Sequence, residues 1–248
     1  MKTTKTILFI SMLLTAFCLS ASDKDKDKDK DKKSAKVVDS GSFGIFLNGK
    51  RVGTETFSIE QRAEFSVATS QIKVDDGNIK ADQTAEMQVN PKGELVSYTW
   101  RATAPQKEES TVEPKDQLLM EHITPSDLKK QDLPHVLPIS TVILDDNFFS
   151  QRELLVWRYL ATGCLQKPNE GLVCGPSRFG TLVPHQHTAG EATMELIGNE
   201  KVIIKGVERD SNKIKLDTDG VQWLLWVSDD YKVIKMTVAA SNVEIVRD

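Results

Sequence analysis

From Phe43 to the C-terminus the chain is a succession of short period-two runs broken by turn residues. That pattern constrains the fold more than any other feature. The first pair is the clearest. Phe43, Ile45 and Leu47 alternate onto one face, Asn48-Gly49 follows, and Phe57 and Ile59 alternate on the return. Successive side chains of a strand point to opposite sides, so this spacing builds one apolar face. Asn-Gly supplies the positive backbone angles of a type I′ hairpin turn. Further runs predict strands near 64–74, 79–90, 95–104 and 116–123, with turns at Asp76-Gly77 and Pro91-Lys92-Gly93. Later ones predict strands near 172–183, 190–198, 201–209, 213–218, 221–228, 231–239 and 242–247. Gly198-Asn199, Asp219-Gly220 and Asp229-Asp230 punctuate them. The expected fold is mainly β: a curved antiparallel sheet, half-barrel or open barrel, of about ten or more strands with one embedded helix.

Two segments depart from the alternation. Residues 124–140 carry Pro125, Pro134 and Pro138 and read as a long loop with a single helical turn. Asp145 or Asp146 can then cap a helix from Asn147 to about Ala161, ended by Gly163. Leu154–Ala161 is apolar except for Arg158, so the element must be buried. Periodicity alone leaves a buried strand open there. The run Val221–Val227 places Val221, Trp223, Leu225 and Val227 on one face and Leu224 and Trp226 on the other. A strand apolar on both faces needs cover on both sides. A helix covers one; the other can face a concavity lined by Trp223 or Trp226, with a filled core as the plainer reading.

Ahead of this body stand two segments of different character. Met1–Lys5 is basic, an apolar run from Thr6 to Leu19 is broken by Ser11 and Thr15, and Ser20, Ala21 and Ser22 are small. These are the parts of a cleavable secretory signal, expected to span 1–21. The apolar run is shorter than the roughly 20 residues of a membrane span, so no transmembrane helix is expected in the mature chain. Cys18 opens a lipoprotein reading, but bulky Phe17 stands where a small residue normally precedes the modified cysteine. Residues 22–36 hold Asp-Lys repeated five times and nothing apolar to bury. Nothing there offsets the entropy of ordering, and the segment reads as a disordered linker. Residues 37–248 read as a single β-rich domain, working in the periplasm or secreted. The linker and signal hold nine basic and five acidic residues; subtracting these from the totals of 32 and 36 leaves 23 against 31, a balance of −8. An acidic body argues against nucleic acid as a partner.

Cys164 and Cys174 are the remaining cysteines and flank turn signals at Pro168-Asn169 and Gly171. In an exported chain an even pair across a turn predicts a disulfide, contributing about 2–3 kcal/mol for so short a loop. A redox or metal pair is the rival, but the spacing is not Cys-x-x-Cys and no His lies between.

Two stretches carry a resemblance. Phe46-Leu-Asn-Gly-Lys-Arg-Val-Gly-Thr54 and Leu224-Leu-Trp-Val-Ser-Asp-Asp-Tyr-Lys-Val-Ile-Lys-Met236 resemble the opening and closing hairpins of uncharacterised bacterial periplasmic β half-barrel families. Those families are similar in architecture to the lipoprotein-carrier proteins of the bacterial envelope, whose half-barrels hold acyl chains. The resemblance implies a curved sheet with a helix in its mouth and a hydrophobic ligand. It transfers no catalytic residue.

The residues name no reaction. No nucleophile elbow, phosphate loop, dinucleotide fingerprint or His-Glu-x-x-His is present. His185-Gln-His187 is the one histidine cluster; on a strand both rings would share a face and could reach one metal. Pro184 and Gly190 bracket it, so exposed loop histidines are the plainer expectation. Asp145-Asp146 and Asp229-Asp230 read as a helix cap and a turn rather than a glycosidase pair. No cofactor is expected. Three classes of function stay open: binding of a lipid or other apolar molecule, an interaction domain for an envelope protein partner, and, least favoured, a metal-dependent enzyme using His185 and His187.

Overall fold

The computed structural model describes residues 35–248 apart from 79, 127, 128, 139, 169 and 170. The expected signal and nearly all of the linker lie outside the described residues. The first strands follow the alternation closely: β1 Lys36–Leu47, β2 Lys50–Gln61, β3 Ser66–Asp75, β4 Lys80–Val89 and β5 Leu95–Ala104. Next come β6 Glu108–Lys115, β7 Leu118–Pro125, β8 Gln131–His135 and the short β9 Val142–Ile143. One helix, α1 (Ser150–Gly163), separates these from β10 Cys164–Lys167, β11 Gly171–Cys174 and β12 Ser177–Val183. The chain finishes with β13 Thr188–Ile204, β14 Val207–Thr218, β15 Val221–Val227, β16 Val233–Val238 and β17 Val243–Arg247.

All but β10 and β11 belong to one fifteen-stranded sheet, in the order 8-7-6-5-4-3-2-1-17-16-15-14-13-12-9. The seam joins the first strand to the last, with Phe43 opposite Arg247 and Ile45 opposite Ile245. From it two antiparallel meanders spread in opposite directions; β9, parallel to β12, ends one of them. The sheet curls until β9 lies against β5 and the 3-10 turn at Pro184–Gln186 lies against β6. Its edges, β8 and β9, do not pair, so it is an open sheet and not a closed barrel. The concave side holds the main core, including Phe43, Phe57, Tyr98, Leu182, Met194, Leu216 and Leu225, packed on α1. No helix among the described residues is long and apolar enough to cross a membrane.

Several boundaries differ from expectation for identifiable reasons. The 124–140 segment is not all loop: Gln131–His135 pairs with β7, and Pro134 is tolerated because β8 is an edge strand. The expected strand 172–183 breaks at Gly175-Pro176. Gly198-Asn199 is not a turn. β13 runs through it with a bulge between Leu196 and Gly198, whose φ is +143°. The reversal falls at Lys205-Gly206, φ +52° and +78°, the pair of positive angles of a type I′ turn. The result is a long two-stranded arm, residues 200–211, beyond the last residue pairing with β15. Its Val202 and Ile204 bury Trp226 and Ile234 on the convex face.

The apolar run 154–161 is helical. Its start lies at Ser150, not Asn147, and neither Asp145 nor Asp146 caps it. Glu55 of β2 does so from across the core: its carboxylate accepts the N–H groups of Phe149 (2.7 Å) and Ser150 (3.2 Å) and the Ser150 hydroxyl (2.6 Å). A carboxylate at a helix N-terminus satisfies unpaired donors and complements the dipole. The last residue of α1 leads into the β10–β11 hairpin, where Cys164 and Cys174 face each other and form the disulfide.

Candidate functional site

The first turn of α1 is the unusual part of the interior. Ser150, Gln151, Arg152 and Glu153 are polar and all are buried. Such groups are costly away from water unless partnered, so their partners define the site.

Glu153 faces the seam. Arg247 of β17 bonds to its Oε2 and, with both Nη atoms, to Asp39 of β1 (3.2 and 2.7 Å). Lys232 reaches Asp39 from the turn before β16 (3.2 Å). The Arg247 guanidinium also lies over the stacked rings of Phe43 and Phe57, at 5.2 and 5.1 Å. Burial pushes the Glu153 carboxyl up to about 9, with Asp39 beside it adding to the rise.

Gln151 faces a different set. It donates to the Tyr98 hydroxyl (3.3 Å) and accepts the Asp145 N–H (2.6 Å); Tyr98 donates to the Asp145 carboxylate (3.0 Å). His185 bonds to the same carboxylate through Nδ1. Burial opposes charge on this imidazole, but the Asp145 hydrogen bond and charge override it and raise its pKa. His187 turns elsewhere: Nδ1 meets Glu121 Oε1 (2.9 Å), whose carboxylate also holds Ser110 (2.7 Å) and His135 Nε2 (2.8 Å). So the two histidines do not share a metal position. The chain makes a 3-10 turn at Pro184–Gln186 instead of a strand, and His187 sits in the left-handed region. Neither is a free loop histidine; they latch the 184–187 turn to Asp145 and to β7. Among the described residues no group of three or more His, Cys, Asp or Glu converges on a metal site. Nor does Ser110–Glu121–His135 form a nucleophile relay. The carboxylate stands between hydroxyl and imidazole, whereas activation needs the imidazole against the hydroxyl.

Arg152 has the poorest set of partners. It is 1% exposed. Its guanidinium lies 4.1 Å above the Trp223 ring and 5.5 Å from that of Phe149. Nη1 donates to the carbonyls of Asp145 (3.3 Å) and Phe148 (3.2 Å), while Nε has no hydrogen-bond partner. Arg152 and Trp223 line a cavity of about 490 Å³ at the N-terminal end of α1, with Ile45, Phe149, Val183 and Val238 among its walls. A second cavity, about 460 Å³, lies along the other side of the helix beside Phe65, Leu95, Leu154 and Trp157. Trp226 lines neither. It points to the convex face, where its ring N–H donates to Glu200 (2.6 Å) and the arm covers it.

Sequence reading missed Arg152, Glu55 and Glu121. The two acids did leave a signal. Glu55 falls in parity with Phe57 and Ile59, and Glu121 with Leu119 and Ile123, so each is a carboxylate on an inward face. Arg152 left none, because a polar first turn looks like an ordinary solvated helix start.

These features define an open β-barrel-like fold with an embedded helix and a partly empty concavity. The same architecture occurs in the crystal structure of a β-barrel-like protein of a domain of unknown function, DUF1849, from Brucella abortus. It superposes with a TM-score of 0.52 at 10% sequence identity, over 84% of this chain and 94% of that one. The likeness is one of fold, to an uncharacterised bacterial β-barrel-like protein. No family model matches this chain, and no curated protein does.

Proposed function

We propose that this is an exported binding protein of the bacterial envelope that holds a lipid or another hydrophobic ligand beside its embedded helix. The observation that carries the reading is the cavity of about 490 Å³ at the N-terminal end of α1, which the helix leaves unfilled. Small-molecule sites are typically apolar concavities of roughly 300–1,000 Å³ with a few placed polar groups, and this one joins apolar walls to the buried Arg152 guanidinium and to polar side chains that include Asp146 and Asp219. The resemblance of its hairpins to periplasmic half-barrel families, which are similar in architecture to the lipoprotein carriers, supports an acyl chain as the ligand. The Cys164–Cys174 disulfide suits an oxidising compartment outside the cytoplasm.

The test is native mass spectrometry of the protein expressed with its own leader and purified gently from the envelope, with solvent extraction in parallel. The expected result is a stoichiometric apolar ligand released on unfolding. A clean apo mass, joined by failure to take up any added amphiphile, overturns the reading. A second reading rests on the arm, whose Ile203 and Val207 are 68% and 56% exposed near its tip. If this is an interaction domain, a photo-crosslinker at position 203 will capture one envelope protein reproducibly.

A further inference from the structure

Arg152 is charged, buried and short of partners. A guanidinium stays protonated in proteins and presents five N–H donors. Burial lowers its pKa to about 10, which still leaves it cationic at neutral pH. No carboxylate lies within ion-pair distance of it among the described residues. Those nearest, Asp146, Glu55 and Asp145, act on it at longer range, and each is engaged elsewhere. Glu55 caps α1, Asp145 holds Tyr98 and His185, and Asp146 accepts from Gln186 (2.6 Å). The stack on Trp223 and two carbonyls offsets part of the cost of burial. Donor capacity remains, on a wall of the cavity.

On the reading above that this cavity binds a hydrophobic ligand, we infer that the ligand is a single-chain anionic amphiphile, its carboxylate or phosphate headgroup seated on Arg152. Charge-assisted bonds to a planar guanidinium are strong and directional, and a carboxylate or phosphate fits its fork. The apolar walls formed by Ile45, Val183, Trp223 and Val238 receive the tail. A cavity of this volume suits one chain. A neutral headgroup could accept a hydrogen bond but would leave the Arg152 charge uncompensated; Asp146 and Asp219 also line the cavity, but Asp146 accepts from Gln186 (2.6 Å) and Asp219 from the Glu191 N–H (3.1 Å).

The experiment is isothermal titration of the delipidated full-length mature protein with dodecanoate, dodecyl phosphate, dodecanol and dodecyltrimethylammonium. The wild-type protein is expected to bind one or both anionic probes at least about tenfold more tightly than dodecanol; comparing the two anions separates a carboxylate from a phosphate preference. Arg152→Met is expected to remove that preference, and Arg152→Lys to keep part of it. The ranking in the wild-type protein tests the inference even if Arg152→Met folds poorly. Equal binding of dodecanol and both anions, or tightest binding of the cationic probe, overturns the anionic headgroup while leaving the binding reading intact. Loss of the preference in Arg158→Met, at the second cavity, overturns Arg152 as its seat. No binding of any probe overturns both.

Discussion

Arg152, buried, and Arg247, half-buried, are both cations against aromatic rings, yet their surroundings differ. Arg247 stacks on Phe43 and Phe57 and meets Asp39 and Glu153 directly. Arg152 stacks on Trp223 and meets no carboxylate among the described residues, only two carbonyls. The neighbouring helix residues 152 and 153 thus lead into opposite situations. On the Glu153 side, the Arg247–Asp39 ion pair, with the Glu153 carboxyl held neutral against it, closes the seam between the first and last strands. On the Arg152 side, a charge faces empty volume. A buried ion pair is a weak stabiliser relative to apolar packing, but breaking one is costly because the remaining charge is stranded. The two arginines thus differ in whether a counter-charge meets them directly.

The largest effect is expected from breaking the paired side. Arg247→Met strands the Asp39 carboxylate and should destabilise the protein by about 3–5 kcal/mol in urea unfolding. Adding Asp39→Leu should recover part of that loss, because it removes the stranded charge and the two sites do not add. A loss of under about 1 kcal/mol for Arg247→Met would mean that Lys232 carries the network alone.

Glu55→Ala tests whether α1 is held from its first turn. It leaves the Phe149 and Ser150 N–H groups buried without their acceptor and should cost about 1–3 kcal/mol. Its expected effect falls below that of Arg247→Met, since only hydrogen bonds and no ion pair are lost.

His185 gives a smaller, pH-dependent effect. Its folded-state pKa is raised above the ordinary value of 6.5. The imidazolium–Asp145 contact therefore stabilises the fold fully below pH 6.5 and loses that contribution as pH rises through the raised value. Wild type and His185→Gln should differ most in melting temperature under mildly acidic conditions and converge under alkaline ones. A gap that widens with rising pH would show the latch to act through a neutral imidazole.

The smallest stability effect is expected at Arg152. Replacing an unpaired buried charge by Met should change unfolding free energy by about 1 kcal/mol or less. A loss as large as that of Arg247→Met would place Arg152 among the structural cations and erase the contrast.

Much of this architecture was legible because its determinants are local. Asn48-Gly49 has φ of +51° and +77°, the angles its residue types favour, and β1 and β2 pair across it as the alternation requires. Cys164 and Cys174 bracket a hairpin short enough to pair them directly. Where local signals were ambiguous, reading failed. A glycine at positive φ serves a turn or a bulge equally, so Gly198 read as a turn although the chain continues through it. Asp145 sits where a cap belongs, but Glu55, ninety-five positions from Ser150, holds the helix instead.

The two tryptophans of β15 mark the boundary between sequence and structure. Period two alone puts Trp223 and Trp226 on opposite faces, and the apolar character of both faces requires cover on each. It does not say what the cover is. Tertiary structure decides that Trp223 receives Arg152 and a cavity, while Trp226 receives a hairpin arm folded back from β13 and β14. Alternation and turn chemistry act over a few residues and survive in the sequence. Counter-ions, caps and cavities arise where distant strands meet in register, and the curl that brings them together belongs to the whole sheet.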